Sequence, residues 1–480
     1  MYFNTSALIA LLGICAFTSC GIIPSAVEPD LKELPSEAIE RKVTSISDQD
    51  GMILQENWPD QAFWQMFEDD QLNYLIEKAL CNNPSINAAE ARLAKAYAMS
   101  DKAHVPSFPT LNFGANVLRL HQSENGMYGT LKAADPNYPI TYFQRDMHFG
   151  FSYHFDFFKI HHNELMAAIG EVNAISAEHY AASLSIALSV AENYFRYQMN
   201  LERVTLAKRL LESAKEANEL VKLKEKNGLM SLNLVNVAIN QELLASQFYC
   251  EVSKELSLTG NQLQALLGGD FLEPIEKIAL NPSVKPFPLP CSLSLNLIAK
   301  RPDIFAKRWR AESASYKIAA AKGAFYPNID ILGLAGVQAI GSKPLFDWGS
   351  VYGLAFGPAL NLPIFSGGKL QAELDVQQSE YCMAVAEYDE AVIKATKEVL
   401  NAIDEARYAT ECYRLANEMA KITQEDLQIA NALLSRSLKS KVDVLQAESD
   451  WLKAKDNVWQ ALFYSLQARL NLIQVLGGGF

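Results

Sequence analysis

The amino-acid sequence predicts a mixed α and β membrane protein assembled from one structural unit used twice. Three observations carry that expectation. Short matching stretches recur at constant offsets along the chain. Four segments of about ten residues alternate apolar with polar or small side chains, the pattern of a strand that spans a membrane. Two stretches of about 65 residues keep helical periodicity with no proline to break them.

The chain opens with an apolar run, Ala7 to Phe17, of the length found in secretion signals and too short to be a membrane helix. Residues 1–19 therefore read as a signal peptide. The run ends in Phe17-Thr18-Ser19-Cys20-Gly21, where small residues precede a cysteine as in bacterial lipoprotein processing sites. Processing there leaves Cys20 as the lipid-bearing first residue; a plain secretory signal is the alternative reading. Phe17 stands where such sites usually have leucine, and Met1 to Ser6 has no Lys or Arg. No later stretch has the 18 apolar residues a membrane helix needs, so any crossing falls to strands.

Residues 20–70 read as the N-terminal, lipid-anchored segment, followed by a first repeat over 71–270, a linker over 271–294 and a second repeat over 295–480. Asn83-Pro84-Ser85-Ile86 matches Arg301-Pro302-Asp303-Ile304 at an offset of 218, which Arg92/Arg310 and Ala103/Ala321 keep. Beyond the strands the offset is 209, held by Glu171/Glu380, Ser231/Ser440, Val235/Val444, Leu243/Leu452 and Leu267-Gly268-Gly269/Leu476-Gly477-Gly478. The nine-residue step falls between about 112 and 160, which predicts a shorter hairpin loop in the second copy. Loop tips tolerate such changes because their backbone is solvated.

Each copy reads helix, strand, loop, strand, long helix, turn, helix. The first helix runs from about Gln71 to His104, its analogue from about Leu295 to Gly323, and both stop before prolines, Pro106 and Pro109 or Pro327. The long helices run from about His161 to Glu225 and Lys369 to Ser435; a returning helix follows from about Met230 to Leu266. Ala207, Leu210, Ala214, Ala217 and Val221 step by 3 and 4, the spacing of helices packed side by side. At 1.5 Å per residue a 65-residue helix is roughly 95 Å long. The two shorter helices of a copy, stacked end to end, have about the same length, so the pattern is that of a helical wall.

The strands are expected at about 109–120, 145–158, 327–338 and 350–365. Met147, Phe149, Phe151, Tyr153, Phe155 and Phe157 alternate with His148, Gly150, Ser152, His154 and Asp156. Leu111, Phe113, Ala115 and Val117 alternate with Asn112, Gly114 and Asn116. In the second copy Tyr352, Leu354, Phe356, Leu360, Leu362 and Ile364 share the apolar phase with Gly353, Ala355, Gly357, Ala359 and Asn361 between them. One face of each strand is greasy and the other polar or small. A water-soluble sandwich strand with one buried face is the competing reading.

Composition excludes several function classes. With 42 basic against 55 acidic residues and a net charge of −13, no basic stripe for nucleic acid is present. The seven cysteines, Cys15, Cys20, Cys81, Cys250, Cys291, Cys382 and Cys412, form no C-x-x-C pair, and those after Cys20 read as small buried apolar residues. No phosphate-cradling, serine-hydrolase or zinc-protease motif occurs. His148, His154, His161 and His162 cluster in sequence, but His148 and His154 stand about 20 Å apart along one strand face, so a polar lining is favoured over a metal site.

Several stretches resemble the outer-membrane efflux protein family, the TolC-like outer-membrane factors, and in particular their lipoprotein branch that serves RND-type efflux systems. They are Trp64, Phe67, Asp70-Gln71-Leu72, Leu75-Ile76, Ala79-Leu80 and Asn83-Pro84, then Phe155-Asp156-Phe157-Phe158. Leu362-Pro363-Ile364-Phe365-Ser366-Gly367-Gly368-Lys369, Val442-Asp443-Val444-Leu445 and Leu476-Gly477-Gly478-Gly479 follow. The resemblance runs from about Trp58 to the C-terminus. It implies a homotrimer in which each protomer gives four β-strands to one shared twelve-stranded β-barrel in the outer membrane and its helices to a long α-helical periplasmic barrel. The prolines and glycines at strand–helix junctions are then Pro109, Pro327, Pro363, Gly367 and Gly368. The segments Glu28 to Gln61 and Phe271 to Leu293 form a belt around the helices.

The resemblance also implies a gate at the turns between long and returning helices, near Gly228 and Ser231 and near Ser437 and Ser440. The family's acidic tip residue matches Asp443, and three copies form a carboxylate ring of the kind that favours cations. Lys439, four residues earlier, is expected to pair with Asp443 within one helix. Ser437 stands where the family usually has glycine, Leu434 where it has tyrosine, and Gln446 and Leu234 occupy further positions where it has or could have an acid. The implied function is export of drugs, toxic compounds or metabolites with a periplasmic adaptor and an inner-membrane pump of RND or ABC type. No cofactor is implied beyond the lipid on Cys20, and outer-membrane lipid is a partner. A protein-secretion conduit of type I is the alternative within the family. A surface coiled-coil lipoprotein acting as scaffold or adhesin is the alternative outside it.

Overall fold

The computed structural model describes residues 52–55, 62–269, 287–290 and 301–478. The signal segment, Cys15, Cys20, Cys291, Gly479 and most of the N-terminal and inter-repeat segments lie outside the described residues. Fourteen helices and strands follow along them. They are β1 Met52–Gln55, α1 Asp70–Asn82, α2 Pro84–His104, β2 Thr110–His121, α3 Met127–Ala134, β3 Thr141–Phe155, α4 Ile160–Lys226 and α5 Leu232–Leu266, then β4 Phe287–Pro290, α6 Pro302–Gly323, β5 Asn328–Ile340, β6 Val351–Asn361, α7 Lys369–Ser435 and α8 Lys441–Val475. The chain divides into two compact units. One takes Ala94–Ala174 and Arg308–Glu387; the other holds the remaining described residues.

The first unit is built on a four-stranded antiparallel sheet in the order β2-β3-β5-β6. Its register pairs Phe113 with Phe149, Phe149 with Ala335, and Gly333 with Phe356, so the apolar phases of all four strands share one face. Leu111, Phe113, Val117, Phe149, Leu354, Phe356 and Leu360 stand exposed on it. The loop after β2 spans 122–140 and carries α3, whereas the loop after β5 spans only 341–350. The nine-residue step in the repeat is that difference. The long helices are equal in the two copies at 67 residues, and the returning helices at 35.

Two features depart from the alternation read in sequence. Gly353 has φ +68° and sits at a register shift opposite Leu334 and Gly336. This β-bulge puts Tyr352 opposite Gly336, on the polar face, where plain alternation had placed it with the apolar residues. The strands also end early, β3 at Phe155 and β6 at Asn361, so Phe157, Leu362 and Ile364 are not strand residues. Pro363, which follows β6, has no N–H to carry the ladder on.

The second unit is helical. Its core joins Phe63 and Leu72, Leu75, Ile76 and Ala79 of α1 to Ala187, Ala191 and Tyr194 of α4, Val392, Ala395, Val399 and Ala402 of α7, and Leu472 and Ile473 of α8. Alanine at many of these positions lets helices approach toward the close end of the usual 8–10 Å range. The first helix is not continuous from Gln71 to His104. It breaks at Asn83, because Pro84 lacks the N–H and disfavours a helical residue before it. Pro84 opens α2 as its first residue instead, the position that suits it. β1 and β4 pair in parallel from Met52↔Phe287 to Gln55↔Pro290, which ties the N-terminal stretch to the stretch between the repeats.

The described cysteines correct another expectation. Cys81, Cys250, Cys382 and Cys412 are free and exposed. Cys412 is exposed although it stands three residues after Ala409 and four before Ala416, which are buried.

Candidate functional site

The two turns that join long to returning helices have one backbone design. α4 ends with the Gly228 N–H donating to Glu225 O at 2.8 Å and the Leu229 N–H to Lys224 O at 2.9 Å. α7 ends with the Ser437 N–H donating to Leu434 O and the Leu438 N–H to Leu433 O, both at 2.9 Å. Each is a Schellman turn, which needs a left-handed residue. Gly228 supplies it at φ +72° and Ser437 at φ +58°, so the serine adopts the backbone of the glycine it replaces. Val442, at the start of α8, packs against Val221, Val235 and Ala238 beside the first turn.

The starts of the returning helices differ. Ser440 is the N-cap of α8, and its N–H and hydroxyl both donate to Asp443 Oδ2 at 2.8 Å, while the Asp443 N–H donates to Ser440 Oγ at 3.4 Å. This is a capping box, in which two orphan helix donors are satisfied reciprocally. The Ser440 hydroxyl and N–H, and then the charges of Lys439 and Lys224, hold the Asp443 carboxyl below its ordinary 3.8. The stability it lends is present above pH 3.8 and is lost as pH falls through the lowered value. Ser231, the N-cap of α5, makes no side-chain cap bond, and Leu234 stands where the returning acid would be. The helical pairing of Lys439 with Asp443 does not form. Lys439 lies in the turn before the N-cap, so a four-residue spacing does not bring it onto the face of α8.

In the sheet unit the polar face gathers Asn116, Asp146, His148, His154 and Asp330. Asn116 Nδ2 donates to Asp146 Oδ2 at 3.3 Å, His148 Nδ1 lies 3.3 Å from the same oxygen, and His154 Nδ1 lies 2.7 Å from Asp330 Oδ1. The His148 ring lies over Gly114, where an added Cβ would come within 2.7 Å of it. His161 stacks edge-on against His154, with ring centres 4.8 Å apart, and its Nδ1 lies 3.1 Å from Glu164 Oε2. Among the described residues no group of three His, Cys, Asp or Glu is placed to hold a metal ion.

The junction residues bracket the strands. Pro109 and Pro327 each precede the first residue of a strand, β2 and β5. Pro363 follows β6, and Gly367 and Gly368 turn the chain into α7 at φ +63° and +84°. The first copy makes its equivalent turn with Lys159 at φ +57°.

Residues without an assigned role in the sequence reading hold the helical unit together. Asn83 Nδ2 donates to Leu266 O at 2.9 Å, and Arg301 Nη1 donates to Val475 O at 3.2 Å. These contacts are the same lock in two copies: donors are 218 apart and acceptors 209. Their pairing in the repeat was the available signal. Arg301 also bonds Asp303 and Glu398 at 2.8 Å. Buried Arg203 reaches Asp456 at 2.8 Å and Glu255 at 2.9 Å, joining α4, α8 and α5. Tyr194, on α4, donates to Asp69 Oδ2 at 2.7 Å, and burial followed by that bond pushes its hydroxyl pKa upward.

Against known proteins, the sequence profile of a family described as outer membrane efflux protein matches residues 75–269 and 293–478. The chain is 29% identical over 349 residues to "Multidrug resistance outer membrane protein MdtQ" of Escherichia coli O157:H7, covering 69% of this chain and 70% of that one. It is 28% identical over 324 residues to "Fusaric acid resistance protein FusA" of Burkholderia cepacia, covering 66% of this chain and 59% of the relative, so it spans about three fifths of that protein. Among solved structures it is similar to the outer membrane protein VceC of Vibrio cholerae, with 29% identity and a TM-score of 0.76 over 88% of this chain and 100% of that one. The Campylobacter jejuni CmeC outer membrane channel shares the fold at a TM-score of 0.81 and 21% identity, with 95% of each chain covered.

Proposed function

The chain belongs to the outer membrane efflux protein family, and from that membership we propose that three copies close one channel which passes small molecules out across the outer membrane. The sheet carries this reading. Its β2 and β6 edges have no strand partner among the described residues, and one of its faces is apolar and exposed. In lipid an open edge leaves backbone donors and acceptors unpaired, at several kcal/mol for each group. Four strands are too few to enclose a conducting lumen, and three copies supply twelve. The polar face with Asn116, Asp146, His148, His154 and Asp330 then lines the channel.

The helical unit supports the same count. α7 leaves Tyr408, Leu415, Met419, Ile422 and Ile429 exposed at coiled-coil spacing, and α5 leaves Val237, Leu244 and Leu258. Val237, Leu244 and Leu258 lie 5, 12 and 26 residues from the start of α5, while Ile429, Ile422 and Tyr408 lie 6, 13 and 27 from the end of α7. Two antiparallel helices from neighbouring copies meet apolar against apolar along that seam.

Asp443 supplies three carboxylates around the axis, a ring that favours cations. Purified protein in planar bilayers is expected to conduct, with a cation preference that Asp443→Asn weakens. A soluble, non-conducting protein overturns the channel, and unchanged selectivity moves the constriction away from Asp443. The channel's drive comes from an inner-membrane pump, of RND or ABC type, through a periplasmic adaptor. The names of the relatives favour drug-like cargo. A covalent lipid on Cys20 anchors each copy in the outer membrane.

A further inference from the structure

The two most exposed large apolar side chains among the described residues are Ile364 and Phe365, at 92% and 91%. They follow the end of β6, between Pro363 and the Gly367-Gly368 turn into α7. At the other edge of the sheet, just before β2 begins, Val105 and Phe108 are 55% and 56% exposed. Phe108 is held against the His104 ring at 4.9 Å, so it is presented in a set position. Both apolar pairs thus flank strands whose outer edges are unpaired among the described residues, and both lie at the same end of the sheet. β2 starts at Thr110, level through Ser152 and Leu332 with Gly357, four residues before β6 stops at Asn361, and the two strands run in opposite directions.

The repeat shows what such a pair does. Inside the chain, Phe158 follows the end of β3, and Tyr326 precedes β5, the next strand in the sheet. Their rings stack face to face, with centres 4.5 Å apart and planes 7° apart. Tyr326 is the 218-offset counterpart of Phe108. The exit of β3 therefore packs on the entrance of β5. Among the described residues, Ile364 and Phe365 beyond β6 stay exposed, and Phe108 stays half exposed although the end of β3 lies beside Val105–Ser107.

We propose that Phe365, with Ile364, of one copy packs on Phe108 and Val105 of the next copy, as an intermolecular analogue of the Phe158–Tyr326 stack, with Phe365 two residues before Gly367, the 209-offset counterpart of Phe158. The inference rests on the three-copy channel reading and assigns one contact within it. The interface is head-to-tail: the β6 side of each copy meets the β2 side of its neighbour, and three such contacts close the ring. Antiparallel pairing of β6 with the neighbour's β2 brings the residues just beyond Asn361 beside those just before Thr110.

The test uses the full chain with Cys81, Cys250, Cys291, Cys382 and Cys412 replaced by serine. Phe108→Cys with Phe365→Cys, oxidised or bridged with a short bis-thiol reagent in detergent, is expected to run as covalent trimers on a denaturing gel. Each single variant should stay monomeric. Val237→Cys with Ile429→Cys reports the helical seam in the same way. Trimers from the helical pair without trimers from the 108/365 pair overturn the contact and leave the channel reading intact. Monomers from both overturn the three-copy reading and the contact with it. A lipid occupant is separated by Phe365→Trp in vesicles of brominated lipid: weak quenching is expected, and quenching as strong as that of Phe356→Trp on the apolar face overturns the proposal.

Discussion

Ser437 shows how a single residue carries a cost that its repeat partner does not. Gly228 and Ser437 sit at the same step of the same Schellman turn, with φ +72° and +58°. Left-handed backbone brings the serine Cβ close to the following carbonyl and costs about 1 kcal/mol that glycine avoids. Ser437→Gly is therefore expected to stabilise the full chain by up to about 1 kcal/mol, because the gain is offset in part by glycine's freer unfolded state. Thermal unfolding followed by circular dichroism reads it; an unchanged or lower midpoint sinks the strain account. The capping role of Asp443 follows from local spacing, serine then acid three residues later, and so was open to reading from sequence. The fate of Lys439 was not, because it turns on one residue of helix boundary.

Among the elements, β6 is where pattern and structure part. Its alternation reads without interruption through Tyr352, Leu354 and Phe356. The bulge at Gly353 inserts one residue, so Tyr352 and Leu354, two apart in sequence, come to opposite faces. In reconstituted vesicles, with the other described cysteines replaced, Tyr352→Cys is expected to react with a charged, membrane-impermeant maleimide while Leu354→Cys stays unreactive. Equal labelling at the two positions rules out the bulged register. The helices were more legible. Both long helices end within a residue or so of the expected bounds, since 67 residues of unbroken periodicity leave little to interpretation. The break at Asn83 was marked by Pro84, but the lock from Asn83 to Leu266 O joins residues 183 apart and leaves no local trace.

At the scale of the whole molecule, the chain presents surfaces it cannot satisfy alone. An apolar sheet face, two strand edges unpaired among the described residues and exposed seams on α5 and α7 all call for lipid or for further copies. The proposed channel presumes export to the outer membrane, and the proposed lipid anchor rests on Cys20. Cys20→Ser is expected to abolish incorporation of labelled fatty acid into the mature protein; persistent labelling refutes acylation at that cysteine. Residue order alone was enough to establish two copies of one unit, four membrane-type strands and two long helices, because periodicity and repetition are properties of neighbours along the chain. Which seam faces inward, where the bulge turns Tyr352, and which donors lock one helix to another were settled only on folding. Those outcomes depend on contacts between residues far apart in sequence, whose energies no local pattern records.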